Sequence, residues 1–148
     1  MLPAMVLLLL AAPPEPPKFT EAALKELKKL EGKWDLIQVD RDGKSFTPKK
    51  GEAILTIKGT KWTAMVGDEI QSETEVVALD PKTKPACIDF KSIPRAKREG
   101  STYEAIFKLE GDLLYYVVYN GKDKNRPTTF DPPSDSDTQL VILKRIKE

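Results

Sequence analysis

The chain contains no histidine and only one cysteine, Cys87. The first absence removes the commonest general base at neutral pH, the commonest metal ligand and the usual partner of a Ser or Cys nucleophile. The second rules out an internal disulfide and any zinc site made of several thiolates. Ser-His-Asp hydrolases and zinc enzymes are therefore excluded for this chain acting alone, and no cofactor is implied. Charge imbalance is missing too: 24 Lys plus Arg face 23 Asp plus Glu, a formal charge of +1. That balance gives no footprint for nucleic acid or an anionic membrane surface, so neither is an expected partner. A long apolar run is also lacking. The apolar opening, residues 1–12, would span about 15 Å as a helix, half of a bilayer core of roughly 30 Å. No integral membrane span is expected.

That opening, MLPAMVLLLLAA, fits a signal peptide whose apolar region ends in the small residues Ala11 and Ala12. It is atypical, because no Lys or Arg precedes the apolar region and Pro13 follows the expected cleavage point. The mature protein is expected to be exported, to a periplasm or the cell exterior. Residues 13–18 form a Pro-rich spacer, and residues 19–148 make a single domain.

Within that domain, Thr20 is placed to cap a helix, and Phe19 and Leu24 have the spacing of a hydrophobic staple. Leu24, Leu27 and Leu30 predict a narrow apolar stripe, and Gly32 a helix stop. Beyond it the pattern turns to β-branched, aromatic or alternating runs at 33–41, 53–58, 61–66, 70–79, 86–91, 102–109, 112–120 and 138–146. No gap between them holds a helix long enough for a parallel crossover. Eight hairpin-linked strands predict an all-β, up-and-down antiparallel barrel, since closure removes the exposed edges, with the short helix covering one end.

Gly32-Lys33-Trp34, after a short helix and at the start of the first strand, resembles the lipocalin signature. The resemblance implies that Trp34 sits at the closed end and that Arg145, near the end of the last strand, packs on it. Leu30 to Trp34, Asp42-Gly43-Lys44, Leu55 to Gly59, Lys84 to Asp89, Leu109 to Asp112 and Asn125 to Thr128 follow in an order similar to an uncharacterised family of exported, lipocalin-like domains expanded in planctomycete bacteria. That resemblance implies the fold and no activity. It also marks Asp89, Asp112, Arg126 and Pro127 as part of a structural pattern. A guanidinium held by the proline after it is suited to pair with a carboxylate, Asp89 or Asp112, and so clamp the long 120–137 connection onto the barrel. An anion site is the sharper alternative.

Other features take bland readings. Asp131, Asp135 and Asp137 lack the glycine and terminal glutamate of a calcium loop and read as a solvated turn. Lys91, Arg95, Lys97 and Arg98 read as exposed loop surface. Cys87 has no histidine to lower its pKa and reads as passive. In 86–91, Ile88 and Phe90 share one face and Cys87 and Asp89 the other, with the inward face left open. Glu73 and Glu75 share a face expected to meet water, so no catalytic carboxylate pair is expected and the chain is read as a non-enzyme.

Tyr103, Tyr115, Tyr116, Tyr119 and Trp62 are candidates for a pocket wall, with Trp62, Phe107 and Tyr116 the leading ligand-binding residues. The expected function is an exported binding module for a small apolar or amphiphilic ligand. The alternative is a filled-core domain for protein interaction or envelope structure.

Overall fold

The computed structural model describes residues 19–93, 101–119, 125–131, 133 and 136–147. The helix α1 (Glu21–Leu30) is followed by β1 (Gly32–Arg41), β2 (Lys44–Phe46), β3 (Ala53–Lys58), β4 (Lys61–Val66), β5 (Glu69–Asp80), β6 (Ala86–Ser92), β7 (Thr102–Glu110), β8 (Leu113–Tyr119) and β9 (Thr138–Arg145). Every pairing is antiparallel, and β9 pairs back onto β1 from Trp34↔Arg145 to Arg41↔Gln139. The result is a closed eight-stranded, up-and-down, lipocalin-like barrel. None of its helices, among the described residues, is long and apolar enough to cross a membrane.

The ninth strand, β2, lies outside the predicted set. It is three exposed residues long and extends the edge of β1 beyond the reach of β3, pairing Val39↔Phe46. Asp42 and Gly43, at φ 53° and 72°, make the left-handed turn between them that a two-residue hairpin requires.

The helix starts at Thr20, whose Oγ1 accepts a hydrogen bond from the Ala23 N–H at 3.1 Å. Its buried stripe is Ala23, Leu27 and Leu30, whereas Leu24 is 53% exposed. The predicted stripe is thus corrected by one position: the small Ala23 takes the inward place and lets the helix lie close against the barrel. Leu27 and Leu30 join the core beneath Trp34.

Inside the barrel, Ile57, Val76, Ile88, Phe107, Leu114 and Leu143 pack into one apolar cluster with the helix residues. Ile88 and Phe90 are buried in it, which settles the inward face of β6 and leaves Cys87 and Asp89 outside. Ile106 and Val117 alternate with inward-facing neighbours, so they lie on the outer face, paired across β7 and β8. Yet they are 1% and 0% exposed. Pro127 is buried as well, and Arg126 pins its segment to this same face. The described segment at Arg126 and Pro127 therefore forms a strap over a second, outer apolar patch.

Candidate functional site

The two ends of the barrel differ in how their polar groups are met. At the helix-covered floor, the Arg145 guanidinium lies 4.2 Å from the centre of the Trp34 ring. Its Nη1 donates to the Glu31 carbonyl at 2.7 Å and its Nη2 to the Lys29 carbonyl. Trp34 Nε1 donates to the Leu30 carbonyl at 2.9 Å. Three carbonyls that the helix end leaves without intrahelical partners are thus satisfied by two side chains, with a cation placed where the dipole favours it. Gly32 has φ +131°, and a Cβ there would stand 3.1 Å from Arg145 Nη1, so both backbone and space favour glycine. Asp112 belongs to this end: its carbonyl accepts from the Arg145 N–H at 2.8 Å and its carboxylate pairs with Lys147 at 3.0 Å.

Arg126 pairs with Asp89, not Asp112. Its Nη2 is 2.7 Å from Asp89 Oδ1, and its Nη1 donates to the Ala105 carbonyl at 2.8 Å. The guanidinium is committed to the barrel wall on both sides, which is the geometry of a clamp.

At the opposite end, where β6 and β8 finish and β7 and β9 begin, the barrel opens into a cavity of about 270 Å³. Its aromatic base is Trp62, Phe90 and Tyr116. The Trp62 ring centre is 4.7 Å from Phe90 and 5.9 Å from Tyr116, both edge-on at 65° and 73°. Ser72, Thr74, Ser92 and Tyr103 add hydroxyls to the wall, and Leu55, Ala64 and Val118 complete it. A more apolar recess of about 180 Å³ shares Leu55, Ala64 and Tyr116 with it and reaches Leu36, Val39 and Val141. Tyr116 borders both spaces, and burial pushes its phenol pKa up to about 12.

Trp62 is 3% exposed, and its Nε1 has no hydrogen-bond partner among the described residues. A buried donor left in that state costs about 1–3 kcal/mol. It is the feature of this end that packing alone does not account for. Three outer grooves are of similar or larger size. A groove of about 280 Å³ lies around Cys87 and the Asp89–Arg126 ion pair, which engages the buried Asp89 Oδ1 at 2.7 Å. Of the other two, one, between the β1–β2 turn and Phe130, is lined by Asp40, Arg41, Asp42 and Lys44; the other, beside Pro85, is bordered by Glu26, Lys29 and Lys108. The first has mostly charged and polar walls, whereas the second also takes in Pro81, Ala86, Phe107, Leu109 and Phe130; neither contains a buried unmet polar atom among the described residues.

Of the predicted ligand-binding residues, Trp62 and Tyr116 come together in the cavity and Phe107 does not. Phe107 is the cross-strand partner of Tyr116 and also faces inward, but it is 3% exposed in the packed core and lies outside the cavity wall. Phe90 takes the place expected of it. Its alternation with Ile88 was the available signal, once the inward face of β6 is known.

The remaining candidates resolve separately. Cys87 is half-buried on the outer face, its sulfur accepting from Thr83 Oγ1 at 3.2 Å. Glu73 contacts Lys61 at 3.7 Å while Glu75 accepts from Thr60 Oγ1 at 3.1 Å, so the two carboxylates are engaged apart. Among the described residues no group of three or more acidic, Cys or His side chains is placed to hold a metal. Asp135, Arg95, Lys97, Arg98 and residues 1–18 lie outside the described residues.

In comparisons with protein-family models, curated proteins and solved structures, nothing matches this chain.

Proposed function

We propose that this protein is an exported, non-catalytic binding module that holds a small apolar or amphiphilic molecule in the open end of its barrel. The observation that carries the reading is the cavity of about 270 Å³ at the open end, with Trp62, Phe90 and Tyr116 as its aromatic base and hydroxyls on its wall. Apolar walls with a few polar groups are what small-molecule sites have in common. The volume falls at the lower edge of their usual range of roughly 300–1,000 Å³, which favours a compact ligand over a long-chain lipid. The apolar opening of the sequence supports export.

A second reading, a filled-core domain for protein interaction or envelope structure, draws on the densely packed lower barrel. It also draws on Phe46, Val66 and Ile70, exposed at 61%, 41% and 37% around the same open end. Native mass spectrometry of the protein purified from its own cells separates the two. A reproducible small-molecule adduct is the expected result. A bare chain mass, unchanged against a panel of lipids and metabolites, favours the interaction domain instead.

A further inference from the structure

We infer that the cavity takes a compact, uncharged molecule bearing an alcohol-like group, one that both donates and accepts hydrogen bonds, seated against an arc of hydroxyls on β5, β6 and β7. This inference rests on the binding reading above and specifies what the site recognises.

The arc follows from register. Residues directly opposite one another in an antiparallel pair share a face of the sheet. Ser72 stands opposite Ala64 and Thr74 opposite Trp62, both of which line the cavity. Ser92 is in turn opposite Thr74, and Tyr103 opposite Phe90. All four hydroxyl residues therefore share the inward face, on three neighbouring strands, and all four line the cavity. None is sealed in the core: Ser72 is exposed and the other three are half-buried. The rest of the wall differs. Leu55, Ala64 and Val118, on the flanking strands β3, β4 and β8, are aliphatic, and the base is aromatic. The polarity of the wall is thus one-sided, which favours a ligand with one polar edge over a pure hydrocarbon.

A hydroxyl can donate and accept, so the arc matches a ligand group that does both, such as an alcohol or a primary amide. Charge is a second constraint. The wall holds no Lys, Arg, Asp or Glu, so an ionised group drawn inside would lose its water without gaining a counter-charge. The Tyr116 phenol does not supply one, since burial keeps it protonated across the neutral range. Size is the third. A volume of about 270 Å³ suits a small ring system or a short chain.

The experiment uses the full chain and three naphthalene derivatives of similar size: naphthylmethanol, ethylnaphthalene and naphthoate. Affinities are measured by titration calorimetry on the unaltered protein and on the double variant Thr74→Val with Ser92→Ala, which removes two hydroxyls of the arc with little change of shape. Thr63→Val, opposite Glu73 and so on the outer face, is the control. Naphthylmethanol is expected to bind the unaltered protein at least as tightly as ethylnaphthalene, although water solvates the alcohol better, with naphthoate weakest. In the double variant the alcohol should lose about tenfold in affinity, the worth of about one hydrogen bond, while the hydrocarbon loses none. Thr63→Val should change neither.

Tighter binding of the hydrocarbon than of the alcohol to the unaltered protein, or a double variant that affects the two alike, overturns the inference while leaving a binding module standing. Naphthoate binding as tightly as the alcohol overturns it as well. Failure of all three probes to bind also overturns it, and the binding reading falls with it only where native mass spectrometry shows a bare chain. The ranking of the probes is read on the unaltered protein, so the test survives even if the double variant folds poorly.

Discussion

Trp34 and Trp62 are both buried inside the barrel, at 0% and 3% exposure, but they belong to ends of the molecule built on different terms. At the floor, Trp34 has its N–H bonded to Leu30, its ring covered by Arg145, and Arg145 in turn bonded to the helix-end carbonyls. Nothing there is left for a ligand to do. Near the mouth, Trp62 is gripped by two aromatic edges and lines the cavity, while its N–H is buried away from that space and unmet among the described residues. The same residue type is a fastener at one end and part of a cavity wall, with a buried unmet donor, at the other. What separates them is whether the neighbouring backbone supplies an acceptor. The helix end does, and the inward faces of β-strands do not, because their carbonyls are spent on the sheet.

The comparison breaks most visibly at the floor. Arg145→Ala removes the stack on Trp34, the bonds to Lys29 and Glu31, and the link between the last strand and the helix. Each charged hydrogen bond contributes about 1.5–3 kcal/mol where buried, and these are partly exposed, so a total loss of about 2–3 kcal/mol is expected. Urea unfolding followed by tryptophan fluorescence reads both consequences: a lower midpoint, and an altered native spectrum from the uncovered Trp34. A midpoint and spectrum identical to the unaltered protein would remove the case for the floor as a fastener.

Tyr116, at the other end, gives an effect that depends on pH. Burial holds its phenol pKa at about 12, above the ordinary 10.0, so the folded chain keeps a proton that the unfolded chain releases first. The resulting stabilisation is fully present below pH 10 and is lost as pH rises from 10 through about 12. Its ceiling is on the order of 2 kcal/mol, reduced by the partial exposure of the residue to the cavity. Because lysines titrate over the same range, the measurement is a difference. The stability gap between the protein and Tyr116→Phe should be flat below pH 9.5, by roughly the width of one titration, and shift against the unaltered protein above it. A gap constant to pH 12 would mean that the phenol is in effect solvated.

Much of this architecture was legible because several residues agree on it. Gly32, Trp34 and Arg145 point to one floor, and the alternation of the later segments gives strands in their right order. The misses share a physical cause, since periodicity reports which face a residue occupies but not how deep it lies. Phe107 and Phe90 both face inward, and the stagger between neighbouring strands places Phe90 in the cavity at the open end and Phe107 lower in the barrel, next to the groove beside Pro85. Leu24 outranks Ala23 in hydrophobicity, yet close approach of the helix favours the smaller residue. In β7 the unbroken apolar run Ala105-Ile106-Phe107 departs from alternation, a sign that the outer face also needs a cover. The strap from Arg126 provides it.

The smallest expected effect is the sharpest test of the contrast between the ends. Trp62→Phe keeps an aromatic ring against Phe90 and Tyr116 but deletes a donor that has no partner. Two terms then oppose each other. The lost indole area and the small void cost stability, while removal of an unmet buried N–H restores about 1–3 kcal/mol. The net change in unfolding free energy should fall within about 1 kcal/mol of zero. Trp34→Phe makes the same chemical change where the N–H is bonded, so it strands the Leu30 carbonyl and uncovers part of Arg145. It should cost about 2 kcal/mol more than its counterpart. Equal losses at the two sites would show that the Trp62 N–H is already satisfied in the folded chain.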